Sequence, residues 1–257
     1  MSIVEILWPA FVLAISLVFV HAIFGIEIIK RGVIFTDLAI GQIAAIGMAI
    51  SIAFMEGFAQ TEMTLLFALL GAGVITWANA KLSHIEAFIG LLYALGVSSI
   101  MLILAQSAEG TELFSKLSAS DILFVSSGDV FKSVAIYAGV AAVMFFIYPR
   151  LKGIFKELIF FVMLAITVTS SVQEAGVLVV FALLIAPAYA AVVQKRFNKL
   201  AFAWFVGSLS VIIALIASYN FDLPTGYTII FTLVVTSMIL VIGYNSIWQR
   251  KIKNQPR

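Results

Sequence analysis

The sequence predicts an all-α fold, a polytopic transmembrane bundle of about nine spans with the N-terminus outside and the C-terminus inside. Three observations predict it: the composition, a series of long apolar runs, and the placement of the basic residues between them. Of the 257 residues, 63% are apolar and only 11% are charged. A soluble domain is about a quarter charged and a little under half apolar. One buried core cannot absorb the excess, because a globular surface needs polar cover. Lipid is the solvent in which this composition is stable.

The apolar runs fall at about 7–29, 38–55, 63–80, 87–105, 133–149, 158–172, 176–194, 200–219 and 226–248. Most are long enough to cross a bilayer, which takes about 20 residues. They are continuous rather than alternating, which excludes a strand barrel. The sixth run is the shortest, squeezed between Glu157 and the pair Gln173 and Glu174. No Lys or Arg precedes the first run and no small-residue cleavage site follows it, so it reads as a retained helix rather than a signal peptide.

The basic residues set the orientation. With nine spans, 13 of the 15 Lys and Arg fall on one side: Lys30, Arg31, Lys81, Arg150, Lys152, Lys156, Lys195, Arg196, Lys199, Arg250, Lys251, Lys253 and Arg257. Only Lys116 and Lys132 fall on the other side, with Glu5, Glu56, Glu62, Glu109, Glu112, Asp121, Asp129, Glu174 and Asp222. Basic loops stay inside. The longest outside connection is about 106–132. The spans take up residues 1–257 as a single transmembrane domain with no soluble domain.

Several chemistries are excluded or disfavoured. The chain has no cysteine and two histidines, which rules out disulfides and argues against a closed structural zinc site. No phosphate-binding G-x-x-x-x-G-K-[ST] loop is present, so any ATPase would be another chain. No paired catalytic carboxylates or nucleophile–base set points to an enzyme. The net charge of +2 gives no footprint for nucleic acid.

The polar residues inside the spans are the candidates for function. Segment two carries the small pairs Gly41 with Ala45 and Gly47 with Ser51, which suit close helix packing and an interior position. Asp37 and Gln42 on it are natural pathway linings, while Asp37 also reads as a first-turn acid. His21 lies ~12 Å from the inner end of segment one at 1.5 Å per residue. A polar group at that depth faces protein or water; a transient metal ligand and a packed imidazole are both consistent with it. Glu27 with Arg31 reads as an ordinary helical surface pair. Glu86 reads as a first-turn acid, and Glu174 as a solvated turn residue unless segment six is shallow or re-entrant, which would draw it inward. Pro187 kinks segment seven, as packing or as a hinge.

The chain resembles the permease subunits of metal-ion ABC importers, the family that works with zinc-, manganese- or iron-binding proteins. The resemblance is carried by Lys30-Arg31-Gly32 running through Asp37, Gly41 and Gln42 to Gly47, by Gln173-Glu174-Ala175-Gly176 running to Pro187-Ala188, and by Asp222-Leu223-Pro224-Thr225-Gly226. Glu86 to Ala94 and Asp121 to Ser126 support it. The resemblance implies a membrane subunit for a divalent transition-metal ion, driven by a separate ATP-binding cassette ATPase, fed by an extracytoplasmic metal-binding protein, and paired with a second copy of itself. It implies no permanently bound cofactor, no catalysis by this chain, and a bacterial or archaeal cytoplasmic membrane. His21, Asp37 and Gln42 would then touch the ion in transit, from a cavity shared by the first two segments. Arg150, Lys152, Lys156, Lys195 and Arg196 would meet the ATPase.

Two departures stand out. Where the family carries its second-span His, this chain has Gln42, and the family Asp falls at Leu38, one residue after Asp37. Where the family carries a short docking helix after the fifth span, Arg150 to Glu157 runs almost directly into the sixth. That shortening motivates two rivals, an ATP-independent channel or carrier of the same fold and a non-transporting scaffold.

Overall fold

The computed structural model describes the backbone of residues 3–105, 122 and 125–253, and the side chains of 8–105, 122 and 125–245. The described residues form nine α-helices and no strand: α1 Ile3–Arg31, α2 Thr36–Phe54, α3 Gln60–Lys81, α4 Ile85–Leu104, α5 Ser127–Ala142, α6 Gly153–Ala175, α7 Val177–Val193, α8 Lys199–Phe221 and α9 Thr225–Lys253. Eight described spans are long and apolar enough to cross a membrane, and α7 is a shorter apolar helix. The chain is a multi-pass membrane protein. Glu109, Glu112, Lys116 and most of the expected outer connection lie outside the described residues, as does Asp121. So do the side chains of Glu5, Arg250, Lys251 and Lys253, and all of Arg257.

The expected lengths of segments five to seven need correction. The sixth helix is not short: α6 has 23 residues and runs through Glu157, Gln173 and Glu174. The short one is α7, with 17 residues. A hydropathy reading stops at charged residues, but here they find partners on neighbouring helices and the backbone stays helical. Segment five likewise begins at Ser127, not near 133. The Ser126 hydroxyl accepts from the Asp129 N–H and caps the helix. Its far end passes through a π-helical turn, Val143–Ile147, and a 3₁₀ turn, Tyr148–Arg150.

One helix sits at the centre. Thirteen of the 19 residues of α2 are buried. It packs against α3 and α4, and less extensively against α6 and α7. Its small residues make this possible. Gly41 lies against Val168, Val172 and Val177, and Gly47 faces the backbone of Met63 and the ring of Phe67. Without a hydrophobic drive between helices in lipid, such close approach supplies the packing energy. The other centre is the α1, α7 and α8 trio. Gly25 abuts the Leu184 carbonyl and the Ala188 methyl, and a Cβ on Gly207 would lie 2.6 Å from Val18 and 3.4 Å from Pro187.

Turns fix the ends. Gly176, at φ +84°, is both the last cap of α6 and the first of α7, so the chain reverses within one residue. An L side chain rarely adopts that conformation. Gln194 organises the α7–α8 turn: its Oε1 accepts from the N–H of Arg196 and of Phe197, both at 2.8 Å. Asn198 then caps α8 by accepting from Leu200 and Ala201. Ser218 donates to the Leu223 carbonyl at 2.7 Å and lies 2.8 Å from the Thr225 hydroxyl, which closes the α8–α9 turn.

Candidate functional site

Helices α3 and α6 carry a polar cavity at each end. The first lies where α1, α3 and α5 finish and α6 begins. Its centre is Arg31, whose guanidinium donates to Glu157 and, at 2.6 Å, to the Tyr148 hydroxyl. Tyr148 in turn donates to Glu27 at 3.1 Å, and Asn79 donates to Glu157 at 3.4 Å. The guanidinium stacks 4.1 Å from the centre of the Phe160 ring, and the Lys156 ammonium stands 4.9 Å from that of Tyr148. A cavity of about 400 Å³ opens beside these groups, lined by Glu27, Arg31, Asn79, Lys156 and Glu157. The expectation of an ordinary surface pair between Glu27 and Arg31 is therefore corrected. Those two residues are 3.6 Å apart, but Arg31 is mostly buried and ties together three helices.

The second cavity lies where α3 and α5 begin and α6 finishes. It measures about 630 Å³ and is lined by Thr61, Ser126, Asp129, Lys132, Ser133, Thr169, Ser170, Gln173 and Glu174, with Leu65, Val125, Ile136 and Ile166. Glu174 is half-buried and accepts from Ser133 and, at 3.2 Å, from Tyr137. Ser126 donates to Asp129 at 2.7 Å, and Lys132 donates to it at 3.1 Å. Glu174 is not the freely solvated turn residue that the sequence suggested. Its partners lie 37 and 41 residues earlier in the chain. The one available signal was the small polar series Ser133, Ser170 and Glu174, which no single helical pattern unites.

The three expected pathway residues sit elsewhere. His21 is buried in α1; its Nδ1 lies 2.8 Å from the Leu17 carbonyl, which can only accept, so the proton is on Nδ1. Its Nε2 faces the Ser171 hydroxyl of α6 at 3.3 Å. Asp37 is buried in the first turn of α2 and its Oδ1 has no partner. Gln42 is buried one turn further on, against Gly96 of α4, and its Oε1 also has no partner. The cavity expected between segments one and two is neither of these two polar cavities. Helices α1 and α2 make little direct contact, because α1 is occupied by α7, α8 and α5, and α2 by α3 and α4. None of the three residues lines either polar cavity.

The five expected contact residues fall in two separate regions, the start of α6 with the turn before it and the α7–α8 turn. The link from the 3₁₀ turn to α6 is only Leu151 and Lys152. Arg150 folds back to donate to the Phe146 carbonyl, Lys152 is exposed, and Lys156 is in the second turn of α6. Lys195 and Arg196 lie in the Gln194-organised turn, where the Lys195 N–H donates to the Tyr244 hydroxyl at 3.0 Å. Glu86 reaches across to accept from the Ile34 N–H at 2.8 Å, which ties the α1–α2 turn to α4.

Comparison with known proteins agrees with this architecture. Residues 150–244 match the ABC 3 transport family. The chain is 26% identical to the "Probable iron transport system membrane protein" of Haemophilus influenzae, over 82% of this chain and 79% of that one. It is also 26% identical to the manganese transport system membrane protein MntC of Listeria monocytogenes, over 93% and 89% of the two chains. Among solved structures it is similar to PsaBC from Streptococcus pneumoniae in complex with Fab, with a TM-score of 0.74, 21% identity, and coverage of 92% and 91%. That likeness is one of fold.

Proposed function

We propose that this chain, a metal-type ABC transporter permease belonging to the ABC 3 transport family through residues 150–244, carries a divalent transition-metal ion inward with energy from a separate ATPase. The observation that carries the proposal is the pair of polar cavities at opposite ends of the same two helices, α3 and α6. A solute that must cross without a continuous pore needs an entry and an exit that are not open together, and helices spanning both can exchange one opening for the other. The ATPase would bias that exchange by binding the two states unequally. The relatives named for iron and manganese support a first-row divalent cargo.

In this reading the basic turns face the cytoplasm, and the Glu174 end faces outward toward a metal-binding protein. A second copy of the chain completes the assembly in a cytoplasmic membrane. Asp37 and Gln42 contact the ion in passage. Each has a buried oxygen with no partner, a costly arrangement that a passing cation or its water would relieve. His21 contributes through the Nε2 lone pair that faces Ser171. Arg150, Lys152 and Lys156 share the ATPase contact with Lys195 and Arg196, since a two-residue link leaves no room for a docking helix between α5 and α6. The same link favours a second reading, a carrier of this fold that works without ATP.

Purification of the chain in mild detergent from its own host separates the two. The importer reading predicts co-purification of a chain bearing a nucleotide-binding loop, reduced by Lys152→Glu with Lys156→Glu and by Lys195→Glu with Lys199→Glu. Absence of any such chain favours the carrier. Binding that survives both charge reversals removes these residues from the contact.

A further inference from the structure

We infer that the cavity around Glu174 is a capture site for a hard divalent cation of the manganese class, with the Glu174 carboxylate as its principal ligand. Its purpose rests on the transport reading above; the binding itself rests on the cavity. Glu174 stands in the last turn of α6 with its two oxygens held by Ser133 and Tyr137. A carboxylate offers about four acceptor positions, so two donors orient it and leave the others open. The second carboxylate on the wall, Asp129, is already matched by Lys132 at 3.1 Å. Among the described residues of the wall, Glu174 is therefore the one carboxylate without a basic partner.

Thr169 supplies an independent sign of a missing ligand. It is 5% exposed, it lines the cavity, and its Oγ1 has no hydrogen-bond partner. A buried hydroxyl left unpaired is costly, and a side-chain rotation that turns it into the cavity would let a bound ion, or the water on it, satisfy it. The Gln173 amide lines the same wall with its Nε2 unpaired, and a half-turn of that amide presents its oxygen instead.

The donors decide the class of ion. The wall offers carboxylate, hydroxyl and amide groups but no imidazole or thioether, and the chain has no cysteine. Such a set suits manganese, calcium or magnesium, whereas copper and zinc sites favour nitrogen and sulfur. Among the described residues no three His, Cys, Asp or Glu side chains converge. The ion would keep several of its waters, for which about 630 Å³ leaves room. Binding of this kind is weak and exchangeable, as a site that passes its ion onward requires.

The test is a titration of Mn²⁺ into the purified chain in detergent, read by loss of the free-ion EPR signal. Saturable binding is expected, weakened about tenfold or more by Glu174→Gln, because affinity in oxygen sites follows ligand charge. Thr169→Val should weaken it less, Glu174→Asp should restore part of it, and Glu62→Gln, off the cavity wall, should leave it unchanged. Ser133→Ala gives a second arm if Glu174→Gln does not fold. Binding equal in all variants, or none in the unaltered chain, overturns the site. The assay needs no ATPase and no uptake. Glu174-dependent binding in a chain that supports no metal uptake would remove the transport reading and keep the site. Uptake without Glu174-dependent binding would do the reverse.

Discussion

Arg31 is the residue whose role changes most between sequence and structure. In the sequence it is one of a basic pair that ends an apolar run. In the folded chain its guanidinium holds Glu157, 126 residues away, together with Tyr148 and the Phe160 ring. A charge-assisted hydrogen bond contributes about 1.5–3 kcal/mol, and removing one partner leaves the other without compensation. We therefore expect Arg31→Ala and Glu157→Gln each to lower stability by about 1–3 kcal/mol. The double variant should lose less than the two losses added, because each single change already breaks the shared bond. Denaturation of the four proteins in detergent checks this, and strict additivity would show that the pair does not couple. The buried oxygens of Asp37 and Gln42 could be located by depth from the sequence, but their lack of partners could not. That depends on what α3 and α4 bring against α2.

At the scale of the element, close helix approach predicts which glycines are indispensable. Gly25 of α1 meets the backbone of Leu184 and the methyl of Ala188 on α7, so any side chain there must push two helices apart. Gly90 of α4 has nothing within 4 Å of a built Cβ. Gly25→Val should fail to accumulate or melt well below the unaltered chain, while Gly90→Val should match it in a thermal-stability assay. Equal behaviour of the two would contradict the packing. The helices themselves were largely legible: nine apolar runs became nine helices, and the small-residue pairs of α2 marked the helix that is most buried. The extent of α6 was not legible, because Glu157 and Glu174 are stabilised by residues on α1, α3 and α5. The reversal at Gly176 left the short helix after it rather than before it.

For the whole molecule, connectivity places the ends of α1, α3, α5 and α7 and the starts of α6 and α8 together. Arg31, Asn79, Tyr148 and Glu157 meet in one cluster, and Ile26, Ala188, Ala191 and Ala203 pack in another. The basic turns thus share one end of the bundle, and positive residues favour the cytoplasmic side. In this cysteine-free chain, Glu56→Cys should react with an impermeant thiol reagent added to intact cells, and Lys152→Cys should react only after lysis. The reverse pattern would invert the orientation and exchange the roles of the two cavities. Entry and exit on shared helices is the centre of the account, and uptake of radioactive Mn²⁺ by host cells tests it most directly. With the chain present, uptake should be saturable, lost on deletion, reduced by Asp37→Asn, and stopped when ATP is depleted while the membrane potential is maintained. Uptake that is the same with and without the chain, or that continues unchanged without ATP, would contradict it.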